Sequence, residues 1–282
     1  MKICPTCKAG YAGRPPRCPL DGTALVDAGA DQHGGRVVGG RYRLIERCGV
    51  GPSAEVYRTH DVKAGAIVAA RVPNGSDNAL RRRLADQVRA YNLVAPHPCL
   101  VPVVDVVDRV MGGRTLVVTE FVTTPALPHL LAANTVAVPQ AVEAMLLLAG
   151  FLEHIHARGV VARDLRAGAV FLGVAEKVTV RVTLDALTPG PEAPVEPMVP
   201  GERIARYAAA AYVAPERLRG EPATAASDVY ALAALGFEIL TGRPAFPGDT
   251  EAVVALHLEA PAPVLREALP GAPRALEALL AR

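Results

Sequence analysis

Apolar and polar residues alternate in short runs through the first half of the chain: Tyr42-Arg43-Leu44-Ile45-Glu46, Glu55-Val56-Tyr57-Arg58 and Ala66-Ile67-Val68-Ala69-Ala70-Arg71-Val72. Runs of this length and alternation predict half-buried strands. A charged helical stretch, Asn78–Val94, follows, and then two more strand runs, Val101–Val107 and Thr115–Phe121. Beyond Pro125 the pattern changes to helices, notably Pro139–Ala157 and Ala226–Thr241. Strands first and helices second predict an α+β fold, with a small β-rich lobe to about residue 124 and a larger helical lobe over 125–282. No internal repeat interrupts this order.

Composition narrows the picture. The 282 residues suit one large domain with an appendage, and a hydrophobic share of 51% supports a core without disulfides. With no tryptophan, that core is mostly aliphatic. A net charge of +2 creates no field strong enough to imply nucleic acid or a membrane surface. Lys2, Lys8, Arg14 and Arg17 cluster near the start, but without interleaved aromatic residues for stacking bases. The most apolar stretches are Ala141–Phe151, too short to span a bilayer, and Val229–Leu240, framed by Asp228 and Glu238. Met1-Lys2-Ile3-Cys4-Pro5 lacks the apolar run of a signal peptide. A cytoplasmic protein without a membrane segment is expected, any tether lying beyond Arg282.

Residues 1–25 are rich in Cys, Pro and Gly, and 26–40 have the composition of a flexible linker to a domain over 41–282. Cys4-Pro5-Thr6-Cys7 sets two thiolates on one turn, able to grip a tetrahedral Zn²⁺ at roughly 2.3 Å per Zn–S bond. The second half reads Cys18-Pro19-Leu20-Asp21-Gly22, with Asp21 where a fourth Cys would stand. The expected ligands are Cys4, Cys7, Cys18 and Asp21, with His33 as the alternative fourth. This segment resembles the short zinc ribbons attached to many bacterial regulatory proteins, which implies structural zinc in a reducing compartment. A metal-free tail or a thiol redox pair is the competing reading, although a redox pair calls for a βαβ context that is absent.

Between two predicted strands stands Cys48-Gly49-Val50-Gly51-Pro52-Ser53-Ala54-Glu55-Val56. It is followed in order by Val68-Ala69-Ala70-Arg71, His97-Pro98-Cys99-Leu100-Val101 and Val160-Val161-Ala162-Arg163-Asp164-Leu165-Arg166. Tyr212-Val213-Ala214-Pro215-Glu216 and Ser227-Asp228-Val229-Tyr230 complete the series. The series resembles the glycine-rich loop, V-A-I-K, H-P-N-I-V, catalytic loop and A-P-E segments of bacterial serine/threonine protein kinases. A two-lobed kinase fold is implied. Arg274–Arg282 looks like the beginning of a late family helix, so the remaining helix and its arginine are expected beyond the end.

The resemblance assigns Gly49, Gly51, Val56, Ala69, Arg71, Glu120, Ala169, Phe171, Leu184 and Asp185 to nucleotide positions, and Asp164 to the catalytic base. Several depart from the pattern. Arg71 replaces the strand lysine, and Val88 stands where its glutamate partner on the small lobe's helix is expected, leaving Asp86 as the replacement. Ala169 replaces the Mg²⁺-binding Asn, and a methyl group cannot ligand a cation that demands oxygens. Leu184 aligns with the metal Asp, unless a shift of one residue recruits Asp185. Ala54 and Pro52 alter the glycine-rich loop, and Ala209 takes the place of a threonine that contacts the catalytic Asp. Asp228 is expected to cap the catalytic loop, and Glu216 to pair with an arginine past Arg282. Weak or no Mg-ATP binding follows. The chain is therefore expected to be a pseudokinase, a catalytically dead scaffold or allosteric regulator for other signalling proteins. The alternative is a weak or atypical serine/threonine kinase.

Overall fold

The computed structural model describes residues 2–4, 10–11, 16–18, 23–27, 29–50, 54–76, 78–189 and 210–281. At the start, β1 (Lys2–Ile3) pairs antiparallel with β2 (Gly10–Tyr11) and with β3 (Val26–Asp27). Cys4 and Cys18 are both buried. The stretch read as linker is held to the body. Arg47 donates to the carbonyls of Gly29 (2.7 Å) and Ala30 (3.4 Å), and Tyr57 donates to Asp31 at 2.8 Å. Residues Val37–Val38 form β4, an edge strand paired with the next.

The small lobe is a six-stranded antiparallel sheet of β4, β5 (Tyr42–Val50), β6 (Ala54–Asp61), β7 (Ala66–Pro73), β8 (Val103–Val110) and β9 (Arg114–Glu120), in the order β4-β5-β6-β7-β9-β8. Side chains alternate across the pleat. Tyr42, Leu44, Tyr57, Val68, Ala70, Val72, Leu116 and Val118 close a core on one face. Ala69, Arg71 and Val117 therefore belong to the opposite face, the one that carries the site. The β6–β7 turn is built by Asp61, whose Oδ1 accepts from Lys63 N (3.0 Å) and Ala64 N (3.1 Å). Gly65 closes it at φ +68°, where a side chain would be strained. Arg41 grips the same carboxylate at 2.9 and 2.6 Å and holds its pKa down to about 2. Helix α1 (Asn78–Val94) connects β7 to β8 and stops just before Pro96, as the restriction on a residue preceding proline dictates.

The helical lobe runs through α2 (Leu127–Ala133), α3 (Val138–His156), β10 (Val160–Val161), the hairpin β11 (Val170–Val174) and β12 (Val178–Val182), and β13 (Thr188–Pro189). It continues through α4 (Pro215–Leu218), α5 (Ala225–Thr241), α6 (Thr250–Glu259), α7 (Leu265–Ala268) and α8 (Arg274–Leu280). Helix α3 is long and apolar enough to cross a membrane, yet Ala141, Ala144, Leu148, Phe151, Leu152 and Ile155 lie buried in the lobe's core. It meets α5 closely, since a Cβ on Gly236 would stand 2.5 Å from Met145 Cε. Thr224 caps α5 by accepting from Ser227 N at 3.3 Å, and Gly242 ends it at φ 72°. The predicted small β-rich lobe and helical lobe are thus present in that order.

Candidate active site

The register of the small sheet sets the roof of the site. Val56, Arg71 and Val117 face one another on β6, β7 and β9, and Ala54 faces Pro73 in the next row of the same face. Ala69 follows by the alternation of β7. Gly49 lies opposite Val56, and a Cβ there would meet Val56 Cβ at 3.3 Å, a tight approach. Gly51, Pro52, Ser53 and Ala209 lie outside the described residues. Glu120 ends β9, with its N–H donating to Pro102 O at 2.9 Å. Phe171 is half-buried on β11 and bridges to Ala126 at the junction of the lobes.

Arg71 does not pair with Asp86. That carboxylate points elsewhere and meets Arg89 at 3.0 Å. The residue facing Arg71 is Gln87, fully buried, whose Oε1 accepts from Arg71 Nη1 at 3.3 Å. Val88, the expected position, packs instead against the cluster of Leu84, Val117 and Leu184. One residue along a helix turns a side chain by about 100°. Counting back from His97 therefore misplaces the partner by one residue.

Two residues after β12, Leu184 is buried in the α1 cluster, while Asp185 forms an ion pair with Arg71. Asp185 thus supplies the carboxylate at this end of the cleft, with its side chain about a quarter exposed. Gln87 Nε2 reaches the Asp185 carbonyl at 3.4 Å, so one amide ties α1, β7 and the segment after β12 together. Ala169 is fully buried, and its carbonyl accepts from Thr183 N at 2.9 Å.

The catalytic loop hangs from α5. Asp228, 1% exposed, accepts from Ala162 N at 2.7 Å and from Arg163 N at 2.8 Å, and His156 Nε2 lies 2.8 Å away. This is the expected cap. It holds Arg163 at φ 65°, a conformation that non-glycine residues adopt at a cost. Asp164 then faces Arg166, whose Nε sits 3.1 and 3.2 Å from its two oxygens. The Asp164 charge, and to a smaller extent that of Asp185, raises the Arg166 pKa above its ordinary value. A single guanidinium therefore feels both carboxylates. Glu216 accepts from Ser227 Oγ at 2.6 Å.

Gln87 and Arg166 are the residues touching the candidate site that sequence reasoning passed over. Arg166 was legible as the second residue after Asp164. Gln87 was visible only as a neighbour of Val88. At the other end, Cys7 and Asp21 lie outside the described residues. No group of three metal-ligating side chains occurs among the described residues. His33 stacks near Tyr57 of the small lobe, ring centres 6.1 Å apart.

Comparison with known proteins agrees with this geometry. The profile of the protein kinase domain matches residues 42–264. The DNA damage-responsive serine/threonine-protein kinase RqkA of Deinococcus radiodurans is 30% identical over 263 residues, covering 87% of this chain and 36% of the relative. Serine/threonine-protein kinase PknD of Mycobacterium tuberculosis is 31% identical over 255 residues, covering 86% and 36%. The chain thus spans little more than a third of the length of these relatives. The crystal structure of a point mutant of the PknI kinase domain from M. tuberculosis shares the fold with a TM-score of 0.62, at 21% identity and 90% coverage of each chain. These relatives are named as kinases, and that overturns the expectation of a catalytically dead scaffold that is not an enzyme. The chain belongs to the protein kinase domain family.

Proposed function

We propose that the chain transfers the terminal phosphoryl group of ATP to serine or threonine residues of other signalling proteins. The observation that carries this reading is the closed set of charges across the cleft: Arg71 paired with Asp185, Asp164 paired with Arg166, and Arg166 within the field of both carboxylates. Phosphoryl transfer depends on positioning and charge neutralisation more than on covalent chemistry, so this set matters more than the exact motif letters. Asp164 accepts the proton of the attacking hydroxyl. Arg71 faces the phosphates from β7, and Arg166 balances charge beside the base. Asp185 is the carboxylate that would hold Mg²⁺, which supplies further neutralisation when bound; the methyl of Ala169 offers it nothing. ATP as the phosphoryl donor suits a cytoplasmic protein.

The test is incubation of the purified chain with labelled ATP, Mg²⁺ or Mn²⁺, and a generic basic protein. Label is expected on serine or threonine with the wild-type chain, and at least tenfold less with Asp185→Ala, since one charge-assisted contact of this kind is worth about that much. Equal labelling by the two proteins with either metal would overturn the reading.

A structural zinc in the first 25 residues is the second part of the proposal. Buried Cys4 and Cys18, and a three-stranded sheet of two-residue strands, support it, because so short a segment cannot bury a core of its own. Cys7 and Asp21 would complete the ligand set, and the ribbon would offer a second surface to protein partners. Elemental analysis of protein purified without chelator is expected to find one zinc per chain, lost with Cys4→Ser. Protein that folds and carries no zinc would contradict it.

A further inference from the structure

Helix α1 presents one stripe to the site. Leu80, Arg83, Leu84 and Gln87 recur at spacings of three and four, the period that places side chains on a single helix face. All four line a small recess of about 10 Å³, together with Arg71 and with Ala54 at the foot of the glycine-rich loop. Arg83 is therefore the second guanidinium on a cavity that already holds the Arg71 side chain. Leu80 and Leu84 wall it with hydrocarbon. Gln87 closes its inner end by bonding to Arg71.

The charges around this cavity are out of balance with the expected ligand. A nucleoside triphosphate brings close to four negative charges. Arg71 is already engaged by Asp185, and Ala169 removes the oxygen ligand that would help hold a cation. Helix α1 leans the other way. Its first turn has no acidic residue, and Arg81, Arg82 and Arg83 follow where the helix dipole is already positive. Basic residues placed there oppose the usual preference and deepen the positive potential at that end. Arg81 is turned to Asn78, bonded at 3.0 Å, so of the three only Arg83 belongs to the cavity.

We propose that Arg83 is a phosphate-positioning residue, the second cationic contact that lets this site hold a triphosphate despite Ala169. The inference deepens the kinase reading and rests on it. From an exposed helix position its long side chain can follow the phosphates without disturbing the core.

Titration calorimetry on the full chain with ATP and with adenosine, with and without Mg²⁺, tests the assignment. Arg83→Ala is expected to weaken ATP binding by about tenfold, the scale of one charge-assisted hydrogen bond, and to leave adenosine unaffected. The loss should be larger without Mg²⁺. Arg83→Lys should restore most of the affinity, and Arg82→Ala, outside the cavity, should bind as wild type. ATP binding unchanged in Arg83→Ala would overturn the assignment, as would an equal loss in Arg82→Ala or an equal loss for adenosine. A wild-type chain that binds adenosine but gains nothing from the phosphates also overturns it. One that binds no ATP at all removes the kinase reading itself.

Discussion

Replacing Asp164 by Asn is expected to lower the phosphoryl-transfer rate by roughly 10²–10⁴-fold while leaving ATP affinity within about twofold, the range that loss of a positioned general base produces. The substitution keeps the shape. An Asn oxygen can still accept from Arg166 Nε, which now sits 3.1 Å from one carboxylate oxygen, and the fold of the loop depends on Asp228 rather than on Asp164. What disappears is the proton acceptor and one negative charge. Loss of the carboxylate removes no contact to the nucleotide and leaves the Arg166 cation in place, so the defect should appear in kcat and not in KM. Single-turnover measurement at saturating ATP separates the two. A rate within about threefold of wild type would mean that the hydroxyl proton leaves by another route.

The largest effect on stability is expected at Asp228. Its carboxylate is buried and serves two backbone N–H groups and His156 at once. Asp228→Ala would strand all three, with Ala162 itself fully buried, and removal of one partner from such a set costs about 3–5 kcal/mol. The positive φ of Arg163 adds to the expected loss, since its N–H is one of the two released. Denaturant titration should show a lower midpoint with an unchanged slope. Asp228→Asn keeps one acceptor and should fall in between. A midpoint shift worth less than about 1 kcal/mol for the alanine variant would show that the loop is held by other contacts.

Much of this architecture was legible in residue order alone. Strand runs with a period of two locate the starts of β5, β6 and β7 within a residue, and α3 and α5 lie within a residue of their predicted ranges. The reason is physical: these elements bury one face each, so their periodicity is imposed by the core. The catalytic loop and its Asp228 anchor were readable for a different reason, since both lie in an unbroken motif. Position fails as a guide where contacts span distant segments. Gln87 meets Arg71 and the Asp185 carbonyl through a helix whose phase cannot be counted from a motif beyond its end. The segment after β12 had two open registers, and burial distinguishes them, with Leu184 in the α1 cluster and Asp185 at Arg71. The dead-scaffold expectation arose from judging each replaced residue alone, and the kinase relatives overturn it.

A carboxylate in the place of Gln87 would latch the small lobe's helix to Arg71 by an ion pair; here the latch is a neutral side-chain amide in a buried setting. Ionic screening acts on a pair of charges and far less on a buried hydrogen bond of this kind. Docking of α1 onto the cleft thus includes a contact that added salt screens little, whereas the Arg71–Asp185 ion pair beside it responds to ionic strength.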